Sequence, residues 1–153
     1  HLKAAFLSGV LDLITTDHSP APASIKEITS GNLKKAWGGI AGIQFLLTAS
    51  WTALKDTMTL EQFIPLVTSK PAQFLKADKK GTITVGNDAD IVIWNPTQTQ
   101  VIQESDIFFK HKISPYIGQE LSGVVLETIV NGQTVYQNQT IQNKNKGQWL
   151  LKK

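Results

Sequence analysis

The hydrophobic pattern changes its period near residue 77, and no other feature constrains the fold as much. Before that point apolar residues recur at helical spacing, as in LKAAF, AGIQFLLTASWTAL and TLEQFIPLV. After it they fall in short strand-like runs between turn residues, as in IVIW, GVVLETIV and TVYQ. This order predicts α/β structure first and β structure second, with the boundary at 76 and units spanning 1–76 and 77–153. At about 75 residues each, these units are too small for a full barrel or a well-buried sandwich.

Residues 2–10 read as the tail of a helix stopped by Gly9, and LDLITT at 11–16 as a short buried strand. A helix leading to a strand with polar residues at its carboxyl end is the pattern of an α/β barrel or open α/β sheet. In both, chemistry gathers at those strand ends. PAPASIKEITSGN at 20–32 reads as a loop, and 34–54 opens on a glycine pair before becoming helical. Residues 59–69 predict a helix with a Thr59–Gln62 capping box and a kink at Pro65, and PAQFL at 71–75 a restart on a proline. GTITV, GNDAD and IVIW read together as a hairpin-like unit, followed by a loop at HKISPYIGQE. Asn131-Gly132 joins GVVLETIV to TVYQNQTIQ as a hairpin.

Composition narrows the chemistry. The net charge is +3, too small an excess to imply a nucleic-acid surface. All 15 basic residues are lysines, so bidentate guanidinium clamps are excluded. Cysteine is absent, which removes disulfides and thiolate ligands; a metal would need oxygen and imidazole donors, with His1, His18 and His111 available. No apolar run is long enough for a membrane span, and no signal peptide is expected, since the opening residues lack the charged-then-apolar pattern of one. The chain starts at His1 and its only methionine is Met58, so it is expected to be part of a longer chain.

The candidate site is LDLITTDHSPAP, where the strand runs into Asp17, His18 and Ser19. A hydrolytic triad is excluded, because adjacent residues on a strand point to opposite faces and cannot line up. Asp17 suits another role. A carboxylate at a strand end can bind a divalent ion, which lowers the pKa of its water from near 16 towards ~7, and can carry the proton. The alternative reading is an aspartate capping a turn before proline. AWGGI is a second candidate, since a glycine pair lets backbone approach a planar amide ligand closely; a tight turn before a helix is its alternative. Trp37 adjoins that candidate. Trp94 and Trp149 are expected on strands as core residues, and His111 as a solvated or structural histidine.

Several motifs then coincide. TTDHSPAP resembles the last-strand motif of the cyclic amidohydrolases, (β/α)8-barrel enzymes with a binuclear metal centre and a small β-sandwich. GTITVGNDADIVIWNP is similar to their return into the sandwich, a G-x-I-x-x-G-x-D-A-D pattern before a strand. LKKAWGGIAGIQFLL and HKISPYIGQELSGVVLETIVNGQTVY resemble the allantoinase branch. The resemblance implies that 1–76 ends a TIM-like barrel and 77–153 supplies sandwich strands. It implies a hydrolase opening the ring of a small cyclic ureide, allantoin to allantoate, in purine degradation. Asp17 would be metal ligand and catalytic acid/base. His18, Gly39, Ile40 and Ala41 would bind substrate, the last three through main chain. Two divalent ions, zinc by the resemblance, would be bridged by a carboxylated lysine outside this sequence. A cytoplasmic homotetramer is implied, with no nucleic-acid or membrane partner, and the 153 residues alone are expected to be inactive. The alternatives are a dihydropyrimidinase or hydantoinase, and a non-catalytic interaction protein on the same fold.

Overall fold

A computed structural model describes residues 1–142 and 149–150. Five helices precede the sheet: α1 (Leu2–Leu7), α2 (Ala23–Lys26), α3 (Leu46–Leu54), α4 (Leu60–Val67) and α5 (Ser69–Leu75). Four strands follow: β1 (Ile91–Val101), β2 (Glu120–Val130), β3 (Gln133–Gln137) and β4 (Thr140–Ile141). They pair antiparallel in the order β1-β2-β3-β4. No closed barrel and no second sheet form among the described residues. Part of the expected β unit, residues 143–148 and 151–153, lies outside them. No helix among the described residues is long and apolar enough to cross a membrane.

Helix α3 joins the two parts. It buries Thr48, Trp51 and Leu54, one stripe at three-residue spacing. Trp51 and Leu54 pack with the fully buried Phe63 of α4, and Ile14 and Trp94 close this cluster. Phe45, just before α3, builds the second cluster with Ile102, Ile107 and Leu121. Two polar bonds lock the helix to the sheet. The Ser122 amide donates to Thr52 Oγ1 at 2.7 Å, and Trp51 Nε1 donates to the Pro96 carbonyl at 2.9 Å. Pro96 has no N–H to give the ladder, and the β1–β2 register shifts between Asn95 and Thr99. Asn95 Oδ1 accepts from the Thr97 amide and hydroxyl and holds that bulge.

The strand expected at 11–16 is not one. A strand is defined by its ladder, and the backbone bond of this stretch beyond α1 runs from the Ile14 amide to Leu66 O in α4. GTITV is not a strand either. Ile83 and Val85 are exposed, and turns at 79–88 are drawn together by Lys80, which bridges Asp88 and Asp90. TVYQNQTIQ divides into β3 and β4, because Asn138 and Gln139 both take left-handed φ values, +51° and +58°. Trp149, expected in the core, is 91% exposed and in no strand. Helix α5 starts at Ser69, two residues ahead of Pro71, since the break falls at Thr68 (φ −128°, ψ −88°). The Asn131-Gly132 hairpin, the Thr59–Gln62 capping box and the left-handed stop at Gly9 form as the residues indicate.

Two predictions follow from this packing. Gly123 has φ +90°, and a Cβ there would stand 2.5 Å from Trp94 Cζ3. Gly123→Ala should therefore cost about 2–4 kcal/mol. A shift in urea-unfolding free energy below about 0.5 kcal/mol, within the range of an ordinary surface change, would disprove the close-contact reading. Asp90 accepts from Lys80 Nζ and, at 2.7 Å, from the Asn131 amide. The lysine first, then the amide, hold its carboxyl below the usual 3.8. A depressed carboxylate stabilises the fold above its unfolded pKa and loses that contribution as pH falls through the folded value. Asp90→Asn should thus destabilise by up to about 1 kcal/mol at pH 7. The difference from wild type should close below the ordinary carboxylate range, and a gap constant from pH 7 to 2 would refute this.

Candidate functional site

The site forms where the end of the extended segment 11–19 meets the glycine loop at 37–43. The Ser19 amide donates to Ile40 O at 2.9 Å, so the two stretches run side by side. Asp17 lies just before this bond, on the far side of His18, exposed and with φ +44°. Left-handed backbone costs a non-glycine residue energy, and aspartate tolerates it better than most. The chain thus turns sharply at Asp17 and leaves its carboxylate in solvent.

His18 is tied down by its ring. Nδ1 accepts from the amides of Gly42 at 3.2 Å and Ile43 at 3.3 Å. An accepting Nδ1 leaves Nε2 as the N–H of the neutral ring, a donor. Phe109 meets the same ring edge-on at 5.4 Å. The two amides belong to the turn of 3-10 helix at Ile43–Phe45 that opens α3, so α3 itself sets the imidazole.

Ser19 is occupied structurally. Its hydroxyl donates to Gly38 O at 3.2 Å and accepts from Trp37 Nε1 at 3.2 Å. Asp17, His18 and Ser19 therefore form no hydrogen-bonded line. Gly39 has φ +71°, and a Cβ there would stand 2.5 Å from Ser19 Cβ. Only glycine allows this loop to close so tightly on the Asp17–Ser19 turn.

The main chain at 39–41 is partly committed. Gly39 O accepts from Lys26 Nζ, Ile40 O from the Ser19 amide and Ala41 O from Ser114 Oγ. The amides of Gly39, Ile40 and Ala41 donate to no acceptor among the described residues. The carbonyls thus hold the loop, and the N–H groups are what it can offer a ligand.

Four contributors carry no sequence signal. Lys26 sits in a Pro- and Ser-rich stretch where a lysine reads as solvated, yet it bonds four carbonyls. Ser114 and Phe109 come from the segment after β1 and reach back across the fold. Gln44, the polar residue inside an apolar run, donates to Asp106 O at 2.6 Å and accepts from the Phe108 amide at 2.9 Å. It fastens the start of α3 to the segment that carries Phe109. The AWGGIAG stretch thus meets Phe109 around His18, and Ser114 of HKISPY, 73 residues on, at the Ala41 carbonyl. His111 itself is half-buried on the same segment.

A metal needs several donors on one point. Asp17 offers one carboxylate, and among the described residues no group of three or more His, Asp or Glu side chains comes together. These residues do not by themselves make a metal centre.

Comparison with known proteins agrees with the motifs. The sequence is 39% identical over 138 residues to an allantoinase of Arabidopsis thaliana, covering 88% of this chain and 27% of that protein. It is 35% identical over 148 residues to an allantoinase of Escherichia coli O1:K1, covering 95% of this chain and 32% of that protein. The chain therefore spans about a third or less of the length of these relatives. Among solved structures, an L-hydantoinase (dihydropyrimidinase) from Arthrobacter aurescens superposes with a TM-score of 0.84 at 28% identity, over 94% of this chain and 32% of that one. A D-hydantoinase from Thermus sp. shares the fold at TM-score 0.82 and 23% identity, over 94% of this chain and 32% of that one. The amidohydrolase family model matches residues 1–135, from α1 through both site motifs to β3, and the chain belongs to the amidohydrolase family.

Proposed function

We propose that this chain is the part of an allantoinase that supplies the proton-carrying carboxylate and one wall of the substrate site. The observation that carries the reading is the placement of Asp17. Its carboxylate is exposed at a left-handed turn, and the adjoining Ser19 amide pins that turn to the glycine loop. The identities of 39% and 35% to two proteins named allantoinase support the choice of substrate.

The reaction opens the hydantoin ring of allantoin. Water adds to the cyclic amide carbonyl, the C–N bond breaks and allantoate forms. Asp17 takes a proton from the attacking water and returns it to the leaving ring nitrogen, as general base and then general acid. His18 offers Nε2–H, and the amides of Gly39, Ile40 and Ala41 offer donors suited to ring carbonyl oxygens. Two divalent metal ions, zinc by the resemblance, would supply Lewis acidity when bound, with a carboxylated lysine outside this sequence among the residues that would hold them. Of the described residues, Asp17 is the one that would help hold them.

On the same reading, residues 11–16 become the last strand of a (β/α)8 barrel once paired, and β1–β4 form part of a small β-sandwich. The TM-score of 0.84 to a hydantoinase supports this placement. The complete protein is read as a cytosolic homotetramer acting on a small cyclic ureide. The same structural likeness favours a second reading, a dihydropyrimidinase or hydantoinase using the same residues on a related ring.

Asp17→Asn in the complete protein should reduce ring opening by about 10²–10⁴-fold, the usual worth of general acid–base catalysis. Near wild-type turnover would remove Asp17 from that role. On a panel of allantoin, hydantoin and dihydrouracil, allantoin should give the highest kcat/KM. A preference for either of the others moves the assignment to the second reading.

A further inference from the structure

We propose that Lys26 is a positioning residue for the substrate-facing glycine loop, its ammonium acting as a built-in cation that holds the loop against the Asp17–His18 turn. That the loop faces substrate rests on the function proposed above; the clamp itself rests on geometry.

Lys26 ends the short helix α2, and its Nζ lies 3.3 Å from Ser19 O, 3.2 Å from Trp37 O, 3.1 Å from Gly38 O and 2.7 Å from Gly39 O. Four acceptors share three N–H bonds, so at least one hydrogen is divided between two oxygens. Three of the oxygens come from consecutive residues. Consecutive carbonyls aimed at one point repel each other, and a cation at that point is what makes the arrangement stable. No carboxylate of the described residues pairs with Lys26; the neighbouring Glu27 instead accepts from Ser30 Oγ at 2.5 Å. The carbonyl dipoles are therefore the counter-charge.

The clamp sits at a junction. The Trp37 amide donates to Ile25 O at 2.7 Å, fixing one end of the loop to the residue before Lys26. The Ser19 amide to Ile40 O bond fixes the other end. Between them the ammonium touches both stretches at once, on the Ser19 side and on the Trp37–Gly39 side. Removing it leaves the converged carbonyls unneutralised. They should splay, and the amides of Gly39, Ile40 and Ala41 should lose their placement relative to Asp17. A compact ammonium suits a ring of single carbonyls, whereas a guanidinium is a planar fork built for paired oxygens. Lys26→Arg should therefore fail to substitute.

The test uses the full-length enzyme with Lys26→Met, which keeps most of the apolar stem, and Lys26→Ala. For both, KM for allantoin should rise about tenfold, the worth of a charge-assisted hydrogen bond, with kcat changed far less. Hydrogen exchange at the Ser19 amide should quicken by a similar factor, while the Ser122 amide on β2 stays as in wild type. Propylamine, which replaces the deleted end of the side chain, should restore both readings to Lys26→Ala; guanidine should not. Unchanged KM and exchange in Lys26→Met would overturn the proposal. So would equal acceleration at Ser19 and Ser122, the mark of general loosening. If wild type opened no cyclic ureide, the proposed function would fall, while the exchange and propylamine readings would still decide the clamp.

Discussion

The close approach of two tryptophans to a strand glycine is the contact on which the remaining arrangement depends. Gly123 leaves room on β2 for the Trp94 ring, and Trp51 of α3 meets Trp94 edge-on at 5.9 Å. Trp51 Cδ1 is also 3.4 Å from where a Cβ on Gly123 would stand. A side chain at that position would lift both rings and with them α3. Because α3 is seated here, the 3-10 turn that leads into it presents the Gly42 and Ile43 amides to His18. A packing decision in the sheet thus reaches the candidate site through one rigid helix.

The site is built largely from main chain. Ser19, Trp37, Gly38, Gly39, Ile40 and Ala41 all contribute backbone carbonyls or amides to its bonds. Backbone groups cannot rotate away as side chains do, so such a wall is rigid provided its carbonyls are satisfied. Lys26, Ser114 and the Ser19 amide satisfy them. Asp17 stands outside this network as a charged, exposed group at a strained backbone position. Strain of this kind, enforced by surrounding structure, is a common feature of functional sites.

How far residues alone reveal this arrangement depends on whether the signal is local. The Asn131-Gly132 turn, the Thr59–Gln62 cap and the Gly9 stop rest on local conformational preference, and all three could be read directly. LDLITT and GTITV carry β propensity but form no ladder here, because β propensity describes a surface that suits pairing and cannot say whether a partner is present. The Asn138–Gln139 turn has no such local mark, because neither residue is glycine, the usual sign of left-handed backbone. Trp149 is exposed because the strand expected to carry it into the core does not form at that position.

The sequence by itself determined the order of helical and strand regions, the hairpin, the identity of Asp17 as the notable carboxylate and the family to which the motifs point. These follow from short-range backbone preference and from motif spacing. Only the tertiary structure decided that His18 presents Nε2–H, that the carbonyls of 39–41 are engaged while their amides are not, and that Lys26 is a clamp and not a solvated surface charge. Each of these depends on a hydrogen-bond partner from a separate stretch of chain, and a partner's distance in space is not written in its distance along the sequence.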